Sequence, residues 1–141
     1  MTVRRYLYLR DTGILHSVLQ IQDLEQLYTH NKLGASWEGF ALECVVRLLD
    51  RGEMEVYSWA THTGAELDLF FQHAGANWGV EFKFQDAPKL SRSMRICTQD
   101  LALRHLWIVT PGLEGYRLDE RTTVLPLTRI ASIAERLAGG A

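Results

Sequence analysis

Hydrophobic residues recur at helical spacing between Ser36 and about Leu49, which predicts an amphipathic helix. Ser36 is a suitable N-cap for this helix, and Asn31 to Gly34 is predicted to be a loop before it. One apolar stripe, facing a core, would consist of Trp37, Phe40, Ala41, Cys44, Val45, Leu48 and Leu49.

Three runs rich in β-forming residues follow, at Glu55 to Ala60, Glu66 to Phe71 and Trp78 to Phe84. The short turns between them predict an antiparallel meander. Ser91 to Leu103 is predicted to be a second helix. Its buried line would consist of Leu90, Met94, Cys97 and Leu101.

The apolar run from His105 to Thr110 is typical of an interior strand, and the helix before it allows a right-handed parallel crossover. Thr122 to Leu127 would add an edge strand, and Thr128 to Ala138 a last helix ended by glycine. The predicted fold class is therefore α/β. A mixed sheet flanked by helices would have the core order helix, strand, strand, strand, helix, strand.

The chain length of 141 residues suits a single domain. We expect residues 1–34 to form an N-terminal strand and short helix that pack on a core formed by residues 35–141. Tyr6, Leu7 and Leu9 would expose apolar surface on this segment. We therefore expect a second copy of the chain to cover it in a homodimer.

Hydrophobic residues make up 47% and charged residues 23% of the chain, which excludes a disordered or collagen-like protein. No apolar stretch is long enough for a membrane span. The two cysteines, Cys44 and Cys97, lack metal-ligand spacing and fit a reducing compartment. We expect a cytoplasmic protein without a membrane partner.

The net charge of −2 excludes binding of nucleic acid by bulk positive charge, but the charges are unevenly distributed. Eight acids and two arginines lie between Ser36 and Glu81. Four bases and one acid lie between Lys83 and Arg95. An acidic segment is thus followed directly by a basic one.

Strand alternation predicts which of these charges share a face. In the second strand it places Glu66 and Asp68 with Phe70 on one face. The opposite face would carry Leu67, Leu69 and Phe71.

Glu81 and Lys83 would lie opposite the apolar face of the third strand, which consists of Trp78, Val80, Phe82 and Phe84. If Gly75 and Ala76 form a two-residue turn, Asp68 lies across from Lys83 with Glu81 one diagonal step away. The three side chains then converge. A register error of one residue would separate them.

Two neighbouring carboxylates beside a lysine suit Mg²⁺ or Mn²⁺ better than zinc. Such an ion would bind a phosphodiester oxygen and activate water, while Lys83 stabilises negative charge or orients that water. The alternative for Asp68, Glu81 and Lys83 is a solvated strand face with an ordinary cross-strand ion pair.

On the first helix, Glu38 lies at the flank of the apolar stripe and is predicted to lean toward the sheet. The alternative is a first-turn acid favoured by the helix dipole. Glu43 and Arg47 are predicted to form a solvent-facing pair.

The second helix carries a polar ridge opposite its apolar line, with members that would contact a nucleic-acid backbone or simply face solvent. The ridge consists of Lys89, Arg92, Arg95 and Gln99. The histidines, His105 among them, show no ligand spacing and are predicted to lie in loops or at the surface. The four tryptophans are predicted to pack in the core.

Asp68 followed after twelve residues by Glu81-Phe82-Lys83, with Glu38 on the preceding helix, resembles the PD-(D/E)XK restriction-endonuclease-like core. Leu67 stands where that pattern has proline. Four wider segments resemble the C-terminal domain of unknown function that is attached to prokaryotic AAA+-type ATPases. They are Tyr8 to His16, Leu33 to Phe40, Gly64 to Leu69 and Val80 to Lys83, and the resemblance extends from about Tyr6 to Leu127.

This resemblance implies that Asp68 and Glu81 bind Mg²⁺ or Mn²⁺, that Lys83 assists the attacking water and that Glu38 holds a water or a second ion. It implies a metal-dependent nuclease acting on DNA beside a partner ATPase domain. The alternative is a non-catalytic module that binds nucleic acid or regulates the ATPase. The chain has no phosphate-binding loop and is not expected to hydrolyse ATP by itself, so we expect a split gene product or a stand-alone remnant.

Overall fold

The computed structural model describes residue 23, residues 32–50 and residues 54–139. The predicted order of helix, three strands, helix and strand is confirmed. The predicted N-terminal strand and short helix, including Tyr6, Leu7 and Leu9, lie outside the described residues. In chain order the elements are helix α1 (Leu33–Asp50), strands β1 (Val56–Ala60), β2 (Glu66–His73) and β3 (Ala76–Phe82), helix α2 (Arg92–Asp100), strands β4 (Leu103–Thr110), β5 (Tyr116–Arg117) and β6 (Thr122–Pro126), a 3₁₀ turn (Leu127–Arg129) and helix α3 (Ala131–Ala138).

The strands form one six-stranded mixed sheet in the order β1-β2-β3-β4-β6-β5. The first three are an antiparallel meander, as predicted, whereas β3, β4 and β6 run parallel. The prediction that Thr122 to Leu127 is an edge strand is wrong. After β4 the chain forms the short strand β5 at the edge of the sheet and then returns to form β6. Strand β6 therefore lies between β4 and β5.

Helices cover both faces of the sheet. One face packs on α1 and α3 through a core that includes Val45, Phe71 and Ile133. The other packs on α2 through Met94 and Cys97. Trp78 and Trp107 are buried and stacked, with ring centroids 5.5 Å apart, as expected of core tryptophans. The sheet is therefore the middle of three layers, and burial on both faces explains why β4 is almost continuously apolar.

The start of α1 differs from the predicted one. The helix begins at Leu33, so Leu33 and Gly34 are not part of a loop. The Ser36 amide donates a hydrogen bond to the Lys32 carbonyl at 2.8 Å, and Ser36 is buried inside the helix instead of capping it. Phe40 also departs from the predicted buried stripe, because 48% of it is exposed.

A β-bulge interrupts the alternation of β2. Tyr57 pairs with Phe70 and Trp59 with Leu67, so Ser58 alone faces two residues of β2. Leu67 consequently packs on the α2 side, although the alternation predicts that it shares a face with Leu69. The two residues at the bulge are Asp68 and Leu69, so the irregular backbone lies at a predicted site residue.

Helix α2 is shorter than predicted. Ser91 is its N-cap, and the Ser91 hydroxyl oxygen accepts a hydrogen bond from the Met94 amide at 3.1 Å. The helix ends at Asp100, and Leu103 is the first residue of β4. None of the helices among the described residues is long and apolar enough to cross a membrane.

Candidate functional site

A tight turn at Ala74 and Gly75 sets the register of the hairpin that carries the candidate site. Both residues have positive φ, 49° and 73°, which is typical of a two-residue hairpin turn. His73 pairs with Ala76, so the predicted turn at Gly75 and Ala76 is wrong. The register differs from the predicted one by two residues, and an even shift leaves every β3 side chain on its predicted face.

The new register aligns Asp68 with Glu81 instead of Lys83. The Asp68 amide donates to Oε2 of Glu81 at 3.3 Å, and the Phe82 amide donates to Oδ2 of Asp68 at 2.9 Å. Nζ of Lys83 lies 2.8 Å from Oε1 of Glu81. The structure thus brings Asp68, Glu81 and Lys83 together, and both oxygens of Glu81 have protein partners.

Glu38 reaches the same end of the sheet from α1. Its Oε1 accepts a hydrogen bond from the Phe84 amide at 3.2 Å, just beyond β3. Trp37 supports this approach through a tilted ring contact with Phe84 at 5.8 Å. The carboxylate of Glu38 is close enough to raise the pKa values of Asp68 and Lys83. Residues far apart in sequence therefore form a cluster of three acids and one amine.

Burial raises the pKa of the Asp68 carboxyl, although the Phe82 amide and the Lys83 charge partly offset the effect. Burial and the neighbouring Asp68 charge raise the pKa of Glu81 to about 7. Burial alone would lower the pKa of Lys83, but the charge of Glu81 and its hydrogen bond to Lys83 raise it above its usual value. The site holds closely spaced negative charge that the single amine does not fully compensate.

Within residues 32–50 and 54–139, no three or more His, Cys, Asp or Glu side chains form a group that could hold a metal ion. Among the described residues, Asp68 and Glu81 are the two carboxylates that adjoin each other closely enough to share a divalent ion. This donor set fits Mg²⁺, which commonly takes one or two carboxylates and completes its shell with water and substrate phosphate. A divalent charge would also favour the ionised form of both carboxyls, whose pKa values are raised mainly by burial.

The polar ridge predicted on α2 is exposed at all four members, Lys89, Arg92, Arg95 and Gln99. The prediction that Lys89 belongs to this helix is wrong, because α2 begins at Arg92 after its N-cap Ser91. None of the ion pairs between described residues involves a member of the ridge. The positive charges of this ridge are thus available to an external anion, and its contact with nucleic acid stays a prediction.

The Glu43–Arg47 pair forms as predicted at 2.8 Å, but it does not face solvent on both sides. Only 9% of the Glu43 side chain is exposed, against 73% for Arg47. Glu43 is therefore a buried carboxylate at the edge of the core, apart from the contacts that define the candidate site.

The prediction that His105 lies in a loop or at the surface is wrong. His105 is buried in β4, with Nε2 2.9 Å from the Thr123 hydroxyl and Nδ1 without a partner in the described part of the chain. Burial, aided by the Arg136 charge, lowers its pKa to about 4. The signal was present in the sequence, because His105 begins an apolar run that predicts an interior strand.

Thr110 is a further buried polar residue that the sequence pattern did not single out. Its hydroxyl has no hydrogen-bond partner among the described residues. Thr110 ends β4, and the preceding Val109 carbonyl accepts a hydrogen bond from the Lys83 amide at 3.0 Å. A buried hydroxyl therefore lies on the strand next to Lys83, at the same end of the sheet as the candidate site.

Comparisons with known proteins cover most of the chain. A family model described as "Domain of unknown function (DUF4143)" matches residues 33–130. Two uncharacterized proteins, from Mycobacterium bovis and Mycobacterium tuberculosis, are each 42% identical over 135 residues. The match covers 94% of this chain and 30% of each relative, so the chain spans about a third of their length. No solved structure matches the chain.

Proposed function

This chain belongs to the DUF4143 family, and we propose that it is a metal-dependent phosphodiesterase domain that acts on DNA. The observation that carries the proposal is the convergence of Asp68, Glu81 and Lys83 at one end of the sheet. Burial disfavours the ionised forms of Asp68 and Glu81 and raises the pKa values of both. Perturbed acids beside a lysine are typical of a site that binds or transforms a charged ligand.

In the proposed mechanism Asp68 and Glu81 hold Mg²⁺ or Mn²⁺, which when bound polarises the phosphodiester and activates water. Lys83, whose side chain is 38% exposed, lies next to Glu81, and its amine would stabilise the negative charge that develops on the phosphate. Glu38 accepts the Phe84 amide with Oε1 and offers its second oxygen to a water or a second ion. Lys83 and Glu38 thus frame the position of the reacting phosphate.

The order of elements also supports a core of the PD-(D/E)XK kind. An α1-β1-β2-β3-α2-β4 succession places one acid at the start of β2 and an acid with a lysine at the end of β3. Antiparallel pairing brings these two ends together. The β2 bulge lies at Asp68, and bulges often redirect a side chain next to an active site.

DNA is the proposed substrate because a basic ridge lies on α2, whose first turn is tied to the start of β2 through Ser93 and Glu66. The curated relatives are about three times as long as this chain. A partner ATPase region beside the domain stays a prediction from the resemblance described above.

The proposal is tested by nicking of supercoiled plasmid in Mg²⁺ or Mn²⁺. Asp68→Asn keeps the shape of the side chain and an oxygen for the Phe82 amide, so we expect folding to persist and cleavage to fall at least about 100-fold. Lys83→Ala should have a comparable effect. Asp100→Asn makes the same chemical change on an exposed residue at the far end of α2 and should leave cleavage unchanged.

Metal binding is measured separately, by the shift of the unfolding temperature with Mg²⁺. At a concentration ten times the dissociation constant, the ion should stabilise the wild type by about 1.4 kcal/mol. Asp68→Asn should lose that gain and Asp100→Asn should keep it. Equal shifts in all three proteins would remove the metal site from the proposal.

A non-cleaving module that binds nucleic acid is the second candidate. The observation that favours it is that both Glu81 oxygens already have partners, Lys83 and the Asp68 amide. In that case DNA binding would depend on the ridge of α2, while no metal would yield nicked plasmid. Binding without cutting across Mg²⁺ and Mn²⁺ therefore selects this function over the nuclease.

A further inference from the structure

A cavity of about 260 Å³ lies between the turn that precedes β2 and the first turns of α2. Its lining residues are Thr63, Gly64, Ala65, Arg92, Ser93 and Ile96. The cavity is separate from the contacts of Asp68, Glu81 and Lys83. It is large enough for a phosphate group with part of its attached sugar.

Hydrogen bonds fix both walls of this cavity. On one wall the Ser93 hydroxyl accepts from the Glu66 amide at 2.8 Å and donates to the Glu66 carbonyl at 2.9 Å. On the other wall Thr61 Oγ1 accepts from the Ala65 amide at 3.0 Å and lies 2.9 Å from the Thr63 hydroxyl. These hydrogen bonds hold the turn before β2 and the start of α2 in place on either side of the cavity.

The floor of the turn is open because Gly64 carries no side chain. Gly64 has φ +87°, and a Cβ built there would meet nothing within 4 Å. The turn thus leaves room for a ligand to approach the backbone closely. A positive φ makes this position one that glycine adopts readily.

Among the described residues that line the cavity, Arg92 is the only charged one. No carboxylate of the described residues forms an ion pair with it. A planar guanidinium is well suited to bind a phosphate through two parallel hydrogen bonds. Arg95, on the next turn of α2, is also exposed but does not line the cavity.

We propose that this cavity binds one phosphate of a nucleic-acid backbone, flanking the phosphate that reaches Asp68 and Glu81. The nucleic-acid identity of the ligand rests on the proposed function. Ala65 lines the cavity and Asp68 follows three residues later, a separation of about 10 Å along an extended strand. The two phosphates would therefore be close neighbours on one strand. Arg92 thereby differs in role from the rest of the ridge.

The first test is a titration of ¹⁵N-labelled protein with inorganic phosphate, with chloride at matched ionic strength as reference. We expect saturable shifts of the Gly64 and Ser93 amide signals. Arg92→Gln should weaken the affinity at least about tenfold, since it removes a charge-assisted pair. Arg129→Gln removes the same charge from an exposed residue outside α2 and should retain the wild-type affinity. Equal losses in both variants, or shifts that avoid the cavity, would overturn the proposal.

The second test is competition by a short single-stranded oligonucleotide with phosphate at these signals. We expect the oligonucleotide to displace phosphate from the wild type and to bind Arg92→Gln more weakly than Arg129→Gln. An oligonucleotide that leaves phosphate in place would overturn the assignment to nucleic acid.

The failure of the cavity proposal is distinct from failure of the nuclease proposal. Asp68→Asn should retain phosphate binding in the cavity while losing plasmid cleavage. Phosphate binding in a protein that never cuts would leave the cavity assignment standing and remove only the nuclease. Plasmid cleavage by a protein whose cavity does not bind phosphate would support the nuclease and remove the cavity assignment.

Discussion

Glu81 and His105 are buried ionisable residues on adjacent strands of the sheet, and burial favours the neutral form of each in very different surroundings. Glu81 meets Lys83 and the Asp68 amide, yet its pKa is raised to about 7 because burial and the Asp68 charge outweigh these partners. Among the described residues the His105 imidazole has one hydrogen-bond partner, the Thr123 hydroxyl, and its pKa is lowered to about 4 because burial disfavours the cation. Glu81 belongs to a cluster of acids and one amine, whereas His105 is packed against the Trp107 ring.

The difference separates a functional candidate from a structural residue. A neutral imidazole in the core serves packing, and His105 stacks at a tilt against Trp107 with ring centroids 4.9 Å apart. A pair of buried carboxylates beside a lysine lowers stability when ionised, and such an arrangement is typical of a site that meets a ligand. The two residues also make opposite contributions to the pH dependence of stability, which allows them to be tested against each other.

The largest expected effect is that of His105→Phe. In the wild type, His105 binds protons in the unfolded chain at a pKa of about 6.5 and in the folded protein only at about 4. Its contribution to the free energy of unfolding is therefore present above pH 6.5 and lost as the pH falls toward 4, by on the order of 3 kcal/mol. Phenylalanine does not titrate. The stability of His105→Phe relative to wild type should rise by that amount between pH 7 and pH 4 in denaturant titrations.

A constant difference between His105→Phe and wild type across this pH range would contradict the assignment of a neutral buried imidazole. The loss of the hydrogen bond to Thr123 lowers the stability of the variant equally at both pH values, so it cancels from the comparison.

Glu81→Gln should have an effect of comparable size and opposite sign. The folded protein holds the Glu81 proton up to about pH 7, whereas the unfolded chain releases it near 4.5. The stabilising contribution of the protonated form is thus lost as the pH rises from 4.5 through 7, by on the order of 3 kcal/mol. Glutamine mimics the protonated form and keeps an oxygen for the Asp68 amide. The stability of Glu81→Gln relative to wild type should therefore be greater at pH 8 than at pH 4.

The same denaturant titrations measure this difference. If Glu81→Gln were more stable than the wild type at pH 4 but not at pH 8, the ion pair between Glu81 and Lys83 would stabilise the fold. Ionised Glu81 would then not destabilise the folded protein.

The smallest effect, and one independent of pH, is expected for Ser91→Ala. This change removes the hydroxyl that accepts from the Met94 amide at the start of α2. Loss of an N-cap costs about 1 kcal/mol. If Ser91→Ala destabilises the protein equally at pH 4 and pH 8, the pH-dependent stability differences of His105→Phe and Glu81→Gln come from the titration of the replaced residues. A pH-dependent difference for Ser91→Ala would contradict both of those interpretations.

The sequence allowed the face of each site residue on β3 to be predicted, but not the register of the hairpin. Both Gly75-Ala76 and Ala74-Gly75 are compatible with a two-residue turn, and the pattern of apolar residues is identical for registers that differ by two. The side chains of Glu81 and Lys83 therefore kept their face while Asp68 gained a different opposite residue. Alternation failed in β2, because a bulge depends on pairing with β1 and leaves no local mark in the sequence.

Tertiary context also overrode local signals at two other positions. Ser36 has the chemistry of an N-cap, yet the preceding turn is helical and its amide is already bonded to Lys32. His105 is polar by type, but its strand lies inside a sheet whose two faces are covered by helices, so its side chain is buried. The cavity beside Arg92 could not be predicted, because it joins a turn and a helix that are distant in sequence.

The tight turn at Ala74 and Gly75 has a consequence for how the protein folds. It confines Asp68, Glu81 and Lys83 to one hairpin, and closing so short a loop costs little conformational entropy. The acids can therefore meet before the parallel strands β4 and β6, which depend on distant contacts, have docked. We expect their mutual repulsion to be felt during folding as well as after it, so that refolding is faster in mild acid than at neutral pH.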